Sequence, residues 1–215
     1  MNILIAPNSM KGSLSAFDFA DIVEEAFLKY SSNFKVRKVP VADGGDFTGE
    51  ILARALGAEL VEVKVHNPIR KKITSKYFLA GKTAIIEMAD ASGMKLIEMQ
   101  DLNPLKTSSV GTGELIADAI KKGCNEILLA IGGSASVDGG MGMLEALDFQ
   151  FFDKNGIELS GNGNNLNKVA DIEMPTVIPE ISIKIICDVD NPLLGTTGAA
   201  AVFGPQKGAT AEMVS

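Results

Sequence analysis

Acidic residues recur where apolar runs of this 215-residue chain end in glycines or turns. Asp43 follows the run 35–41, Asp138 follows 127–131, and Asp188 and Asp190 follow 181–187. A carboxylate so placed can hold Mg²⁺ or take a proton from an alcohol. Each is equally at home as a turn residue or a helix cap. Their repetition points to a shared site, because open α/β sheets bind ligands outside the carboxyl ends of their strands.

The stretch Ile127–Met143 adds a surface for anions. Its apolar run empties into Gly132-Gly133-Ser134, and a helical pattern begins after Asp138-Gly139-Gly140. Glycine backbone lets bare N–H groups approach a phosphate, and a helix N-terminus adds partial positive charge. A ligand-free glycine loop would read the same way. The spacing is neither a P-loop nor G-x-G-x-x-G, and the first strand lacks the dinucleotide fingerprint of a nicotinamide-dependent oxidoreductase. Ser109-Val-Gly111-Thr112-Gly113 also opens a helix and could hold an anion or merely cap it. Lys11, in Asn8-Ser9-Met-Lys-Gly-Ser13, and Lys207, in Phe203-Gly-Pro-Gln-Lys-Gly208, could neutralise a phosphate or a carboxylate, or be solvated surface residues.

The elements that must position these groups follow from periodicity. Residues 2–6 read as an internal parallel strand. Ser15 and Asp18 resemble a capping box opening a helix to Tyr30, with Phe19, Ile22, Val23, Ala26 and Phe27 on its apolar face. A strand at 35–41 and a helix at 48–56 complete a β-α-β-α order, which implies a doubly wound parallel sheet. From Glu59 the segments 59–65, 70–79 and 83–88 are strand-like with short turns, which suits antiparallel pairing. A helix at 113–122 with Thr112 as cap and Gly123 as stop, a strand at 149–152, a loop at 153–168 and a buried strand at 181–187 follow.

The expected fold class is α/β: a doubly wound, Rossmann-like domain and a mixed α/β domain with partly antiparallel strands. The division falls near 62, residues 1–62 being the first part of the Rossmann-like domain and 63–215 the second domain. Two parallel strands are few for a doubly wound sheet. The remainder is therefore expected beyond residue 215, and the second domain is expected to be incomplete.

Hydrophobic residues at 46% argue for a packed core, and a net charge of −7 opposes loose binding to nucleic acid or acidic membranes. No apolar run is long enough to span a bilayer. Cys124 and Cys187 sit in unlike settings and form no disulfide framework, so a reducing, cytoplasmic location is expected. One histidine, His66, lies in a turn, which rules out a histidine metal cluster.

Six stretches together resemble the bacterial glycerate kinase family of the first type. They are Ala6–Ser15, Pro40–Gly45, Thr107–Glu114, Ile131–Gly140, Cys187–Pro192 and Val202–Ala209, in the family's order. The chain departs from the usual pattern at Asn8 (Asp), Met10 (Phe), Asp46-Phe47 (Glu-Gly) and Ser136-Val137 (Thr-Asn). The resemblance implies phosphorylation of glycerate by ATP with Mg²⁺, and two α/β domains around a cleft. Placement then assigns Gly111, Thr112, Gly113, Gly132, Gly133 and Ser134 to nucleotide phosphate. It assigns Lys11 to the γ-phosphate or the glycerate carboxylate, Asp188 to base catalysis, Ser9 and Lys207 to substrate, and Asp43 and Asp190 to Mg²⁺. The other reading is a non-catalytic nucleotide- or anion-binding fragment of the same fold, and the 215-residue chain alone is expected to be inactive. Its partner is a small molecule, with neither nucleic acid nor membrane expected.

Overall fold

The computed structural model describes residues 1–10 and 13–214. Strands β1 (Asn2–Ile5) and β2 (Lys35–Lys38) pair in parallel, joined by helix α1 (Ala16–Tyr30). Ser15 caps α1 as its sequence implies: its hydroxyl accepts the Asp18 N–H (3.1 Å) and donates to the Asp18 carboxylate (2.7 Å). The apolar face is only partly covered. Ala16 and Ala20 are buried, whereas Ile22, Ala26 and Phe27 are exposed, as is Leu4 on β1. Among the described residues β1 pairs with β2 alone.

The second sheet carries the core. Its order is β3 (Glu59–His66), β4 (Lys72–Ala80), β5 (Thr83–Glu87), β6 (Glu126–Ala130) and β9 (Ser182–Ile186). β3, β4 and β5 run antiparallel, joined by turns at 67–71 and at Gly81, whereas β5, β6 and β9 run parallel. That is the expected change of grammar, continued into a parallel half. The expected division at residue 62 falls inside β3, whose eight residues all pair with β4. Helix α2 (Thr48–Leu56) already packs on β4 and β5, so the chain crosses from one sheet to the other in the loop 39–47.

Short helix α3 (Met88–Ser92) follows β5, and α4 (Val110–Lys121) lies on β3 and β5. Leu115, Ile116 and Ala119 of α4 are fully buried against Val65, Tyr77, Ile86 and Ile127. Burying a Leu or Ile side chain contributes about 1.5–3 kcal/mol, enough for this face to fix α4 on the sheet. α4 begins three residues before the expected 113, so Thr112 is inside it. Gly123 ends it at φ +88°, the left-handed position glycine favours. The chain continues through α5 (Met141–Glu145), the antiparallel pair β7 (Gln150–Phe152) and β8 (Asp171–Glu173), α6 (Ala199–Phe203) and α7 (Ala211–Val214). No described helix is long and apolar enough to cross a membrane.

Candidate functional site

Three backbone segments meet at the carboxyl ends of β6 and β9, and the closeness of their approach explains the glycines there. Gly44, at φ +90°, leaves no room for a side chain: a Cβ would lie 2.6 Å from the Ile186 carbonyl oxygen. A Cβ on Gly132 would lie 2.7 Å from the Gly45 Cα. The contacts are bonded as well as close, since the Gly132 N–H donates to the Gly44 carbonyl (3.0 Å) and the Ile131 N–H to the Ile186 carbonyl (3.3 Å). Loop 43–46, turn 132–134 and the segment leaving β9 therefore form one seam.

Asp43 stands on this seam. Its carboxylate accepts the Asn8 side-chain amide (2.8 Å) and the Gly45 N–H (3.0 Å). Asn8 thereby brings the loop after β1, with Ser9, to the same place; its own carbonyl oxygen accepts the Ser9 N–H (2.7 Å). Asp188 and Asp190 are exposed on the segment that leaves β9, immediately past the Gly44 contact at Ile186–Cys187. Lys11 lies outside the described residues.

The turn Gly132-Gly133-Ser134 is held from behind by α3 and the residues after it. The Met94 N–H donates to the Gly133 carbonyl (3.0 Å) and the Ala135 N–H to the Ser92 carbonyl (2.8 Å). In front, the Lys207 ammonium donates to the Ser134 hydroxyl (2.9 Å) and the Ser136 carbonyl (2.9 Å). Burial pushes the Lys207 amine down to about 8, and Asp138 works against that fall. A half-buried cation whose hydrogen-bond partners are neutral is an anion-seeking group.

Asp138 lies against the 109–113 turn. One Asp138 oxygen accepts the Ser109 N–H (2.7 Å), the Ser109 hydroxyl (2.8 Å) and the Gly142 N–H (3.2 Å), while the other accepts the Gly140 N–H (3.2 Å). A carboxylate of the protein itself thus lies at the start of α4, where the helix dipole favours negative charge. Gly111, Thr112 and Gly113, expected at phosphate, are buried. A Cβ on Gly111 would overlap the His66 carbonyl, and one on Gly113 the Met143 carbonyl. The Thr112 hydroxyl donates to Ser92 (2.7 Å) and so braces the glycine turn from behind.

Sequence reasoning missed Glu87, although the signal that marked Asp43 and Asp188, an acid ending an apolar strand, was present at the end of β5. Glu87 is 6% exposed. Its carboxylate accepts the Gly49 N–H at 2.6 Å, and burial, reinforced by Asp90, pushes it up to about 7. Nearby, Lys95 pairs with Asp90 (2.8 Å) and stands 4.0 Å from Asp46. A crevice of about 400 Å³ beside α2, lined by Glu50, Arg54, Leu60 and Phe78, shares none of these residues.

Among the described residues no group of three or more His, Cys, Asp or Glu side chains is placed to hold a metal ion. Mg²⁺ asks for less, since it binds through one or two carboxylates with substrate phosphates and water. Asp43 and the acids after β9 suit that ion in company with phosphate.

Residues 3–215 match the profile of the Glycerate kinase family. A glycerate kinase of Halalkalibacterium halodurans is 43% identical over 97% of this chain and 56% of its own length. The glycerate 2-kinase of Escherichia coli K12 is 43% identical over 100% of this chain and 58% of its own. The crystal structure named for glycerate kinase 2 of Salmonella typhimurium LT2 superposes with a TM-score of 0.85 at 42% identity, over 100% of this chain and 59% of that one. The chain spans a little over half the length of the curated relatives it matches.

Proposed function

The chain belongs to the glycerate kinase family, and from that premise we propose that it provides the phosphate-handling face of an ATP-dependent kinase acting on glycerate. The observation that carries this reading is the seam of loop 43–46, turn 132–134 and the end of β9, with Lys207 bonded to Ser134. Phosphoryl transfer asks a protein mainly to position reactants and to stabilise charge. Gly133 and Ser134 offer close backbone approach to phosphate, and Lys207 offers the cation. Asp43 and Asp190 would hold Mg²⁺, which supplies charge neutralisation between phosphate oxygens. Asp188 would take the proton from the attacking hydroxyl, and Ser9 and Lys11 would meet substrate from the loop after β1. A small-molecule acceptor and a cytoplasmic location belong to the same reading.

The test combines nucleotide binding with product analysis. The 215-residue chain is titrated with Mg·ATP, then incubated with ATP and glycerate while phosphoglycerate is followed by phosphorus NMR. Binding that weakens in Lys207→Met supports the phosphate face, and glycerate-dependent ADP release lost in Asp188→Asn supports transfer. Binding without release confines the chain to a nucleotide-binding role. A chain that binds no nucleotide overturns the reading.

A further inference from the structure

We propose that Glu87 is a positioning residue that closes the first turn of α2 from a neighbouring strand and so holds the Asp43 loop in the seam. α2 has no cap of its own. Its N-cap residue is Phe47, at φ +67° and without a side-chain cap bond. Phenylalanine has no polar atom to offer a helix start. The acceptor comes instead from β5, where the Glu87 carboxylate takes the Gly49 N–H at 2.6 Å. The fit is close, since a Cβ on Gly49 would lie 3.0 Å from that same oxygen.

What the cap holds is the start of the seam. The Thr48 hydroxyl accepts the Gly44 N–H (3.1 Å), and the Thr48 N–H donates to the Gly45 carbonyl (3.3 Å). Gly44 in turn receives the Gly132 N–H, and Gly45 donates to the Asp43 carboxylate. A continuous line of hydrogen bonds thus runs from Glu87 through the first turn of α2 to Asp43 and the glycine turn. The charged groups around Glu87 are Asp46 on the loop, Asp90 on α3 and Lys95 after it. Asp46 and Asp90 oppose a negative charge on Glu87, whereas Lys95 and the Gly49 N–H favour it. Glu87 is accordingly placed to change charge near neutral pH without losing its acceptor oxygen.

The proposal builds on the reading of Asp43 and turn 132–134 as a phosphate face, but its first test does not need that reading. Amide hydrogen exchange is measured in the full 215-residue chain for Glu87→Ala and Glu87→Gln. Glu87→Ala should speed exchange at Gly49 and Gly44 about tenfold, the loss of one cap, while Ile86 and Leu129 keep their protection. Glu87→Gln, which retains an acceptor, should restore both. A Glu87→Ala chain in which Gly44 exchanges as before, or in which all amides accelerate together, overturns the proposal. The second test is Mg·ADP affinity, expected to fall about tenfold in Glu87→Ala and to recover in Glu87→Gln. If exchange responds and affinity does not, the positioning role stands and the phosphate-face reading fails.

Discussion

Asp138, only 2% exposed, and Ser109 are joined twice, the Ser109 N–H (2.7 Å) and its hydroxyl (2.8 Å) both donating to a single oxygen of the carboxylate. The Ser109 hydroxyl is also the acceptor for the Met143 N–H (2.9 Å), so the start of α4 is tied to α5 through one acidic side chain.

Removing that side chain strands several donors in the interior. Asp138→Ala is expected to cost roughly 2–4 kcal/mol of stability, the range for unsatisfied buried donors together with a lost charged acceptor. Urea unfolding of the two proteins measures it. A difference below about 0.5 kcal/mol, the range of an ordinary surface substitution, would remove Asp138 from its structural role.

Glu87 links stability to pH. Its folded value of about 7 lies above the ordinary 4.5, so the fold prefers the neutral acid. The stability belonging to that neutral form is complete below about 4.5 and is lost as pH rises through about 7. Glu87→Gln is therefore expected to be about 2–3 kcal/mol more stable than the parent at pH 8 and nearly equal to it at pH 4.5. Thermal unfolding at both pH values decides the matter; an equal effect at each would assign the gain to something other than the charge.

Lys207 has the opposite linkage. Its amine is lowered to about 8 from 10.5, so the fold prefers the neutral base and gains stability as pH rises from about 8 to 10.5. Anion binding needs the charged form, so the affinity for inorganic pyrophosphate should decline as pH passes about 8. Lys207→Met should bind more weakly and lose that decline. Isothermal titration at pH 7 and pH 9.5 tests it, and a parent protein whose affinity is the same at both values would exclude Lys207 from the anion site.

Gly132→Ala tests the seam directly. The added methyl would sit 2.7 Å from the Gly45 Cα and 2.8 Å from the Gly44 carbonyl oxygen, with backbone on both sides. Overpacking of that kind costs about 1–3 kcal/mol. Nucleotide affinity should fall with it, because loop 43–46 is pushed from turn 132–134. Unchanged stability and unchanged affinity would show that the two loops can separate freely.

Much of the frame was legible because it is written in local periodicity. The limits of α2, 48–56, follow from its pattern, and β6 and β9 from apolar runs bounded by glycine or acid. The use of each polar group was less accessible, since hydrogen-bond partners lie far apart in sequence. Nothing in Ser109-Val-Gly-Thr-Gly113 announces that the Asp138 carboxylate bonds to its first residue. Thr112 reads as a cap until its hydroxyl is found on Ser92. Glu87 escaped notice because its partner, Gly49, is 38 residues away. The change of sheet could not be placed from grammar alone, because the pattern of α2 shows an apolar face without showing which sheet receives it.

The cap that β5 lends to α2 also makes the helix depend on a distant part of the chain. Nine residues are short for a helix to persist alone in water, and a left-handed phenylalanine at its entrance gives no local nucleus. α2 thus draws on β5, which is held by the short antiparallel turn from β4 on one side and by β6, some forty positions along the chain, on the other. Loop 43–46 therefore takes its shape from a strand outside its own helix, and the seam is only as firm as the sheet behind it.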